Sequence, residues 1–475
     1  MPSARPLGEV IDDLGVGSYQ VLVVMFCSGL MLADGAMMLM ISSIVGALDQ
    51  EFQAGEITRG VLVSMSFGGM LVGNLMSGPL SSRHGRWWVC MASTLLLSFF
   101  GLVCSIVKTF PQLFVVQICL GLAIGVGGPA SVTFLTEVTP TKQRGVISNS
   151  TGFAFMLGEV WTAAGLLLFM PDMKGPWRLL CIWGVLPALL VTPIGLLIHE
   201  SPSWLQLRQR QQELRSVLVK IQYLHRKSEV SILVQPSSFS AISSCGAFKS
   251  LMHFQHYRTV TLSSSLAFIT NYLFYGTTFA FTQIFAEVDG DWTSPAMEML
   301  IIAMAEFAGL MLAWLLLLHP TMGRIGMLRL FNCLSFLFSA ALVSVLLRNF
   351  LVADPAAYGL KAVVSGMFTI VYLYISEALP VEIRAVGVGF CMSVGRCGAV
   401  AAPAVFSIGQ HVMGSASPFI TSMMVLSALG FLAASHLVVE TRDKPLDTPC
   451  LEMSIRSGQG TRCAPVRGRA LSVDA

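Results

Sequence analysis

The chain alternates between long apolar stretches and short polar segments, and this pattern predicts helices that cross a membrane. Each stretch has about the 20 residues that an α-helix needs to span a bilayer. The apolar positions lack the alternation of a strand, and a segment in lipid must satisfy its own backbone hydrogen bonds, so helices are favoured. The twelve predicted helices cover residues 19–47, 60–80, 87–107, 112–136, 146–169, 178–198, 260–285, 297–318, 326–347, 358–379, 386–410 and 418–438.

A short phrase occurs twice, after the fourth predicted helix and after the tenth. It reads E-x-x-P-x-x-x-R, from Glu137 to Arg144 and, 240 positions later, from Glu377 to Arg384. Two more pairs recur at nearly the same offset, namely Gly85-Arg86 with Gly323-Arg324 and Glu200-Ser201 with Glu440-Thr441. Three signals in the same order at one offset indicate two duplicated halves of six helices each.

Lys and Arg predict the orientation, because they are enriched in cytoplasmic loops. With the N-terminus inside, about twenty-two of the 29 basic residues fall on the cytoplasmic side. We therefore expect both termini in the cytoplasm. The predicted regions are an N-terminal segment at 1–18, a first bundle at 19–199, a cytoplasmic loop with an amphipathic helix at 200–257, a second bundle at 258–440 and a disordered cytoplasmic tail at 441–475.

Composition supports a membrane protein, since 54% of the 475 residues are hydrophobic and only 12% are charged. The net charge of +3, with no broad basic patch, argues against nucleic-acid binding. The eleven cysteines and eight histidines show no spacing typical of metal ligands, so we expect no metal and no cofactor. No catalytic constellation emerges, and an enzyme is the least favoured class. We expect a monomer embedded in the lipid bilayer.

The repeated phrase, together with Gly78 to Arg86 between the second and third helices, resembles the major facilitator superfamily of secondary transporters. The resemblance covers nearly the whole chain, and the segments after Glu200 and Glu440 are similar to sugar porters and organic ion transporters. Further segments are most similar to synaptic vesicle 2-related proteins, with nicotinate transporters close by; they are Gly15 to Gln20, Ala305 to Gly309 and Arg396 to Ala399. The resemblance implies an all-α membrane protein with twelve transmembrane helices in two pseudo-symmetric six-helix bundles.

The resemblance also implies a gate of conserved-type charges and glycines at the cytoplasmic helix ends. Such pairs can hold one side shut in one state and separate in the other. The alternative is that these residues only fix topology and cap helices. Ser82 stands where the family usually has Asp, so we expect a less stable cytoplasmically closed state. The gate residues are Arg83, Gly85, Arg86, Glu137, Arg144, Glu200, Gly323, Arg324, Glu377, Arg384 and Glu440.

Four charged residues fall inside predicted helices, namely Asp34, Glu159, Glu306 and Arg396. Each costs about 2.5 to 3.5 kcal/mol to insert, so each needs a partner or a purpose. In the superfamily fold their helices line or approach the central cavity, which favours a role in solute binding or coupling. Glu306 is a candidate second proton site or a partner of Arg396.

Asp34 matches an acidic position that takes part in proton coupling in sugar porters, together with an Arg in the fourth helix. Gln117 occupies the position of that Arg. Without the usual partner, Asp34 could still carry a proton. It could instead bind a cationic solute or serve as a hydrogen-bonded structural residue.

Arg396 is the best candidate for an anion site, because a guanidinium offers a planar fork that fits a carboxylate. A fixed ion pair with Glu159, Glu306 or Asp34 explains it equally well. Asn271 and Tyr275 in the seventh helix could contact a small ring-bearing solute, or could simply pack at an interface.

Two functions follow for the chain. The first is a secondary active transporter of a small organic solute, expected to be an organic ion such as a monocarboxylate, with or without protons, in the plasma membrane or a vesicle membrane. The second is a receptor or scaffold of the same fold that does not transport. The retained charges at Asp34, Glu306 and Arg396 favour transport, since a scaffold has little reason to keep them.

Overall fold

A computed structural model describes residues 5–52, 56–172, 175–225, 254–287, 294–347 and 354–442, with the single positions 234, 246, 248 and 251. These residues are almost entirely helical, because long apolar segments in lipid pair their backbone groups internally. The helices are α1 (Leu7–Leu14), α2 (Ser18–Phe52), α3 (Glu56–His84), α4 (Arg86–Ile106), α5 (Phe110–Val138), α6 (Arg144–Phe169), α7 (Trp177–Gly195), α8 (Pro202–Leu207), α9 (Gln211–His225), α10 (Phe254–Glu287), α11 (Pro295–Leu318), α12 (Arg324–Leu347), α13 (Asp354–Ala378), α14 (Val381–Met413) and α15 (Ser417–Ser435).

Twelve of these helices are long, and they match the twelve predicted spans one for one. Eleven are long and apolar enough to cross a membrane. The remaining one, α10, has the length but is richer in Ser, Thr, Tyr and Asn. The predicted all-α membrane fold is therefore confirmed, although several helices extend beyond their predicted ends.

The long helices form two halves, α2–α7 and α10–α15, which meet along α3 with α14 and along α6 with α11. On the side of the chain termini, α9 buries Leu214, Val217, Leu218 and Ile221. Most of the predicted tail, beyond Arg442, and the loop residues 226–233 lie outside the described residues.

Small residues set the closeness of the helix crossings. An added Cβ at Gly121 or Gly125 of α5 would overlap the backbone of α3, and Gly69 and Gly73 of α3 approach α5 in the same way. Close backbone approach of this kind is the usual role of glycine in membrane bundles. Between the halves, Gly78 of α3 lies directly against the backbone of α14.

Candidate functional site

A central cavity of about 60 Å³ lies between the two halves. Most of its lining is apolar, and three aromatic rings contribute to it, those of Phe155, Phe274 and Phe368. Asp34 and Arg396 are the charged side chains on its wall. An apolar pocket with a few convergent polar groups is the usual form of a small-molecule site.

Arg396 enters this cavity from α14 and is only 5% exposed. Its Cζ lies 5.0 Å from the ring centroid of Tyr275, within the range of a cation–π contact. Among the described residues, neither Nε nor Nη1 of Arg396 has a hydrogen-bond partner. A buried guanidinium with open donors can receive a carboxylate from a ligand.

Asp34 of α2 lines the same cavity and is buried. Its Oδ1 has no hydrogen-bond partner within the part of the chain that the structure describes. Arg396 is the charged group whose field acts on this carboxyl. The structure therefore brings together the two residues that the sequence proposed separately as an acid site and an anion site.

Gln117 of α5 lies apart from the cavity wall. Its Oε1 accepts a hydrogen bond from Ser66 Oγ at 3.2 Å, and its Nε2 contacts Cys104 Sγ at 3.9 Å. These contacts tie α5 to α3 and α4. Gln117 therefore has a packing environment rather than a place beside Asp34.

The two predicted residues of α10 lie next to the cavity in different ways. Asn271 Nδ2 donates to the hydroxyl of Tyr372 at 2.8 Å, and Tyr372 is part of the cavity wall. The ring of Tyr275 packs against Phe67 of the opposite half, with centroids 4.9 Å apart. Tyr275 thus contacts both the Arg396 guanidinium and the interface between the halves.

Lys361 of α13 is a functional candidate that the sequence reasoning missed. Its Nζ lies 2.9 Å from Glu306 Oε1 of α11, and both side chains are buried. The same Nζ donates to Thr278 Oγ1 at 2.6 Å and lies 3.8 Å from the ring centroid of Phe274. A lysine seven residues into a predicted helix normally extends to the membrane surface. The signal that could have found it is an acidic residue, Glu306, in need of a partner.

Glu159 of α6 faces this pair from the other half. Its carboxyl group lies within hydrogen-bonding reach of Glu306, and the charge of Lys361 acts on it as well. The predicted pairing of Glu306 with Arg396 is not observed among the described residues, since Glu306 pairs with Lys361 and accepts from Ser365 Oγ at 3.1 Å.

A cluster of polar contacts joins three helix ends in the first half. Arg86 pairs with Glu137 at 3.0 Å, and Ser201 Oγ donates to the same carboxylate at 2.5 Å. The backbone N–H groups of Arg86 and Trp87, at the start of α4, donate to Glu200 Oε1 at 2.7 and 3.2 Å. A carboxylate at a helix N-terminus satisfies free N–H groups and complements the helix dipole.

Gly85 makes room for this carboxylate. Its φ of 106° is unfavourable for other residues, and an added Cβ would overlap the Glu200 carboxylate. Burial raises the pKa of the Glu200 carboxyl, although the backbone hydrogen bonds from Ser201, Trp87 and Arg86 act in the opposite direction.

The second half repeats this cluster contact for contact. Arg324 pairs with Glu377 at 3.2 Å, and Thr441 Oγ1 donates to Glu377 at 2.8 Å. The N–H groups of Arg324 and Ile325 donate to Glu440 at 2.7 and 3.2 Å, and a Cβ at Gly323 would overlap that carboxylate. Each cluster lies within one half and does not bridge the two.

The other predicted gate residues have separate environments. Arg83 is exposed at the end of α3. Arg144 Nε donates to the carbonyl of Thr136 at 3.2 Å, and Arg384 Nε donates to that of Leu379 at 3.1 Å. One contact does connect the halves at this end, because the Arg324 guanidinium lies against Gly145 of α6. Among the described residues no group of His, Cys, Asp and Glu could hold a metal ion.

A family profile described as "Sugar (and other) transporter" matches residues 21–448. The chain belongs to this family. It is a transporter of the major facilitator superfamily, as the sequence motifs predicted, and not an enzyme.

Relatives and solved structures agree with this assignment. The transporter is 23% identical over 466 residues to the synaptic vesicle 2-related protein of Xenopus laevis, covering 92% of this chain and 81% of the relative. It is 27% identical over 400 residues to organic anion transporter 3 of Oryctolagus cuniculus, covering 81% and 69%. The fold matches the major facilitator superfamily proton:xylose symporter XylE bound to 6-bromo-6-deoxy-D-glucose, with a TM-score of 0.75 and 17% identity over 90% of this chain and 98% of that one.

Proposed function

We propose that this protein is a secondary active transporter of a small organic anion, such as an aromatic monocarboxylate, that works by alternating access. The observation that supports it is Arg396, a buried guanidinium with open donors on the wall of a cavity between the halves. An uncompensated buried charge costs several kcal/mol, so its retention implies a ligand that compensates it. The rings of Phe155, Phe274 and Phe368 suit an aromatic solute.

Asp34 gives a route to proton coupling. In the empty site its carboxylate lies in the field of Arg396. A solute carboxylate that binds Arg396 would cancel that field, and Asp34 would then bind a proton more readily. The solute and the proton would be carried together.

The clusters around Glu200 and Glu440 would keep each half rigid during the conformational change. Rocking of two rigid halves around a central site is the usual mechanism of this architecture. The contact of Arg324 with Gly145 is the candidate gate on the side of the chain termini. We place that side in the cytoplasm and the protein, as a monomer, in the plasma membrane or a vesicle membrane.

The similarity to an organic anion transporter supports the anionic solute, and the fold of a proton:xylose symporter supports proton coupling. A hexose remains the main competing solute class, because the family profile and that structural neighbour include sugar transporters.

Uptake by purified protein in liposomes tests the proposal, with nicotinate, a quaternary ammonium ion and a hexose compared with and without a pH gradient. We expect uptake of nicotinate that is lost in Arg396→Ala and weakened in Arg396→Lys, because lysine keeps the charge but not the fork. Arg329→Ala is the control, since Arg329 donates to Ser435 O and lies off the cavity wall. Intact nicotinate uptake in Arg396→Ala would exclude this anion site. A folded protein inactive toward all three solutes would favour a receptor or scaffold.

A further inference from the structure

Two carboxyl groups meet across the interface between the halves. Glu159 belongs to α6 in the first half and Glu306 to α11 in the second, and they lie within hydrogen-bonding reach of each other. Both side chains are buried. An ionised carboxylate can only accept hydrogen bonds, so this contact is favourable only when one of the two carries a proton.

Lys361 sets the charge of this group. Its ammonium neutralises one carboxylate through the 2.9 Å contact with Glu306. With a proton on the second carboxyl, the three side chains are neutral together. Without that proton the buried group carries one negative charge, which is costly in an apolar interior.

Glu306 has capacity for a further donor. Its Oε2 accepts from Ser365, while Oε1, although near Lys361, is not aligned for a hydrogen bond with any donor in the described part of the chain. A protonated Glu159 is a donor that approaches from the opposite half.

The other charges nearby do not replace this proton. Asp34, on α2, also acts on Glu159, and its negative charge disfavours ionisation of Glu159. Arg396, on α14, acts on Asp34. The cation that faces both glutamates is therefore Lys361, and it can neutralise only one of them.

The position of the group links it to one side of the membrane. Glu159 and Lys361 lie in the portions of α6 and α13 that are remote from the chain termini. On that same side the halves touch where Ala296 N, at the start of α11, donates to Pro171 O after α6 at 3.4 Å. Repulsion between Glu159 and Glu306 would push α6 and α11 apart on this side.

We infer that Glu159, Glu306 and Lys361 form a proton-binding site between the halves, and that proton binding there is required to close the side remote from the chain termini. This site is distinct from Asp34, and it deepens the proposed proton coupling without depending on the identity of the solute. Deprotonation opens that side, and protonation from it allows closure and passage to the other state.

A distance measurement without any solute tests this inference. Genetically encoded spin labels at Asp172 and Met297, which flank the Pro171–Ala296 contact, would report separation of α6 and α11 in liposomes from pH 5 to 9. We expect the ratio of open to closed molecules in the wild type to rise with pH, by up to about tenfold per pH unit for one proton. Glu159→Gln should stay closed at every pH.

Two further variants make the result decisive. Glu298→Gln changes a glutamate of the same helix that accepts from Tyr358 at 3.0 Å outside this site, and it should respond to pH as the wild type does. Asp34→Asn should also keep the response. A pH response that persists in Glu159→Gln, or that is lost in Asp34→Asn instead, would overturn the inference. Because no solute is added, these outcomes are independent of the nicotinate experiment.

Discussion

Lys361 and Glu306 form an ion pair at 2.9 Å between α13 and α11, with both side chains almost fully buried. The cation lies over the ring of Phe274, which is part of the cavity wall, and Ser365 connects the carboxylate to the same wall. The pair therefore joins the solute cavity to the helix that faces Glu159.

Removing one partner of this pair should destabilise the protein strongly. For Lys361→Met we expect a loss of about 3 to 5 kcal/mol, because Glu306 would be left as an unpaired buried charge. The double variant Lys361→Met with Glu306→Gln should recover most of that loss. Unfolding in detergent, analysed as a double-mutant cycle, measures the coupling. Strictly additive losses would show that the pair contributes nothing.

Alanine at Gly85 should cost more stability than alanine at another glycine of positive φ. Gly85→Ala places a Cβ in a strained conformation and against the Glu200 carboxylate that caps α4, and we expect a loss of about 2 to 4 kcal/mol. Gly414→Ala is the matched control, since Gly414 has a φ of 60° with open space around it. We expect about 1 to 2 kcal/mol there. Thermal unfolding of the two variants compares them, and equal losses would argue against the overlap with Glu200.

Acidification should loosen α9 from the bundle. Burial and the charge of Lys220 lower the pKa of His199 from its ordinary value of 6.5, and His199 Nε2 lies 2.5 Å from Lys220 Nζ. A histidine whose pKa is lower in the folded state stabilises the fold above its unfolded pKa, and this contribution is lost as the pH falls through the folded value.

Hydrogen exchange of the α9 amides measures this loosening. After correction for the intrinsic rates, exchange in the wild type should increase from pH 7.5 to pH 5.5, and His199→Gln should reduce the increase. The same pH response in both proteins would show that another group is responsible.

Aspartate at position 82 should favour the state that is closed on the side of the termini. Arg208 Nη2 already donates to the carbonyl of Ser82 at 2.6 Å, so Ser82→Asp adds a carboxylate beside this exposed cation. An exposed ion pair contributes at most about 1 kcal/mol, which corresponds to roughly a fivefold shift in population. Reaction of a thiol introduced on that side with a water-soluble reagent measures the shift. An unchanged reaction rate would contradict the prediction.

Hydropathy and the internal repeat were sufficient to predict the fold. Apolar length defines a transmembrane helix in the sequence itself, and the recurrence of Glu137-to-Arg144 as Glu377-to-Arg384 marked the two halves. The repeat also selected residues that do lie together, since Arg86 contacts Glu137 and Arg324 contacts Glu377. Repetition within one chain carries this information because both copies keep the same local packing.

The solute site depends on contacts between unrepeated residues, and these were only partly predictable. Asp34 and Arg396 were identified by the cost of a charge in lipid. Gln117 was placed beside Asp34 by analogy, but its side chain turns toward Ser66 and Cys104. Lys361 was assigned to the membrane surface, because no local pattern distinguishes a lysine that reaches water from one that turns inward toward Glu306.

The contacts of Glu200 and Glu440 with the helix starts at Arg86 and Arg324 are confined to single halves. A rocking motion between the halves therefore breaks none of them. Salt that screens these charges would soften each half without changing the balance between outward-facing and inward-facing molecules. The transporter can accordingly keep its conformational equilibrium nearly constant when ionic strength varies on the side that carries these clusters.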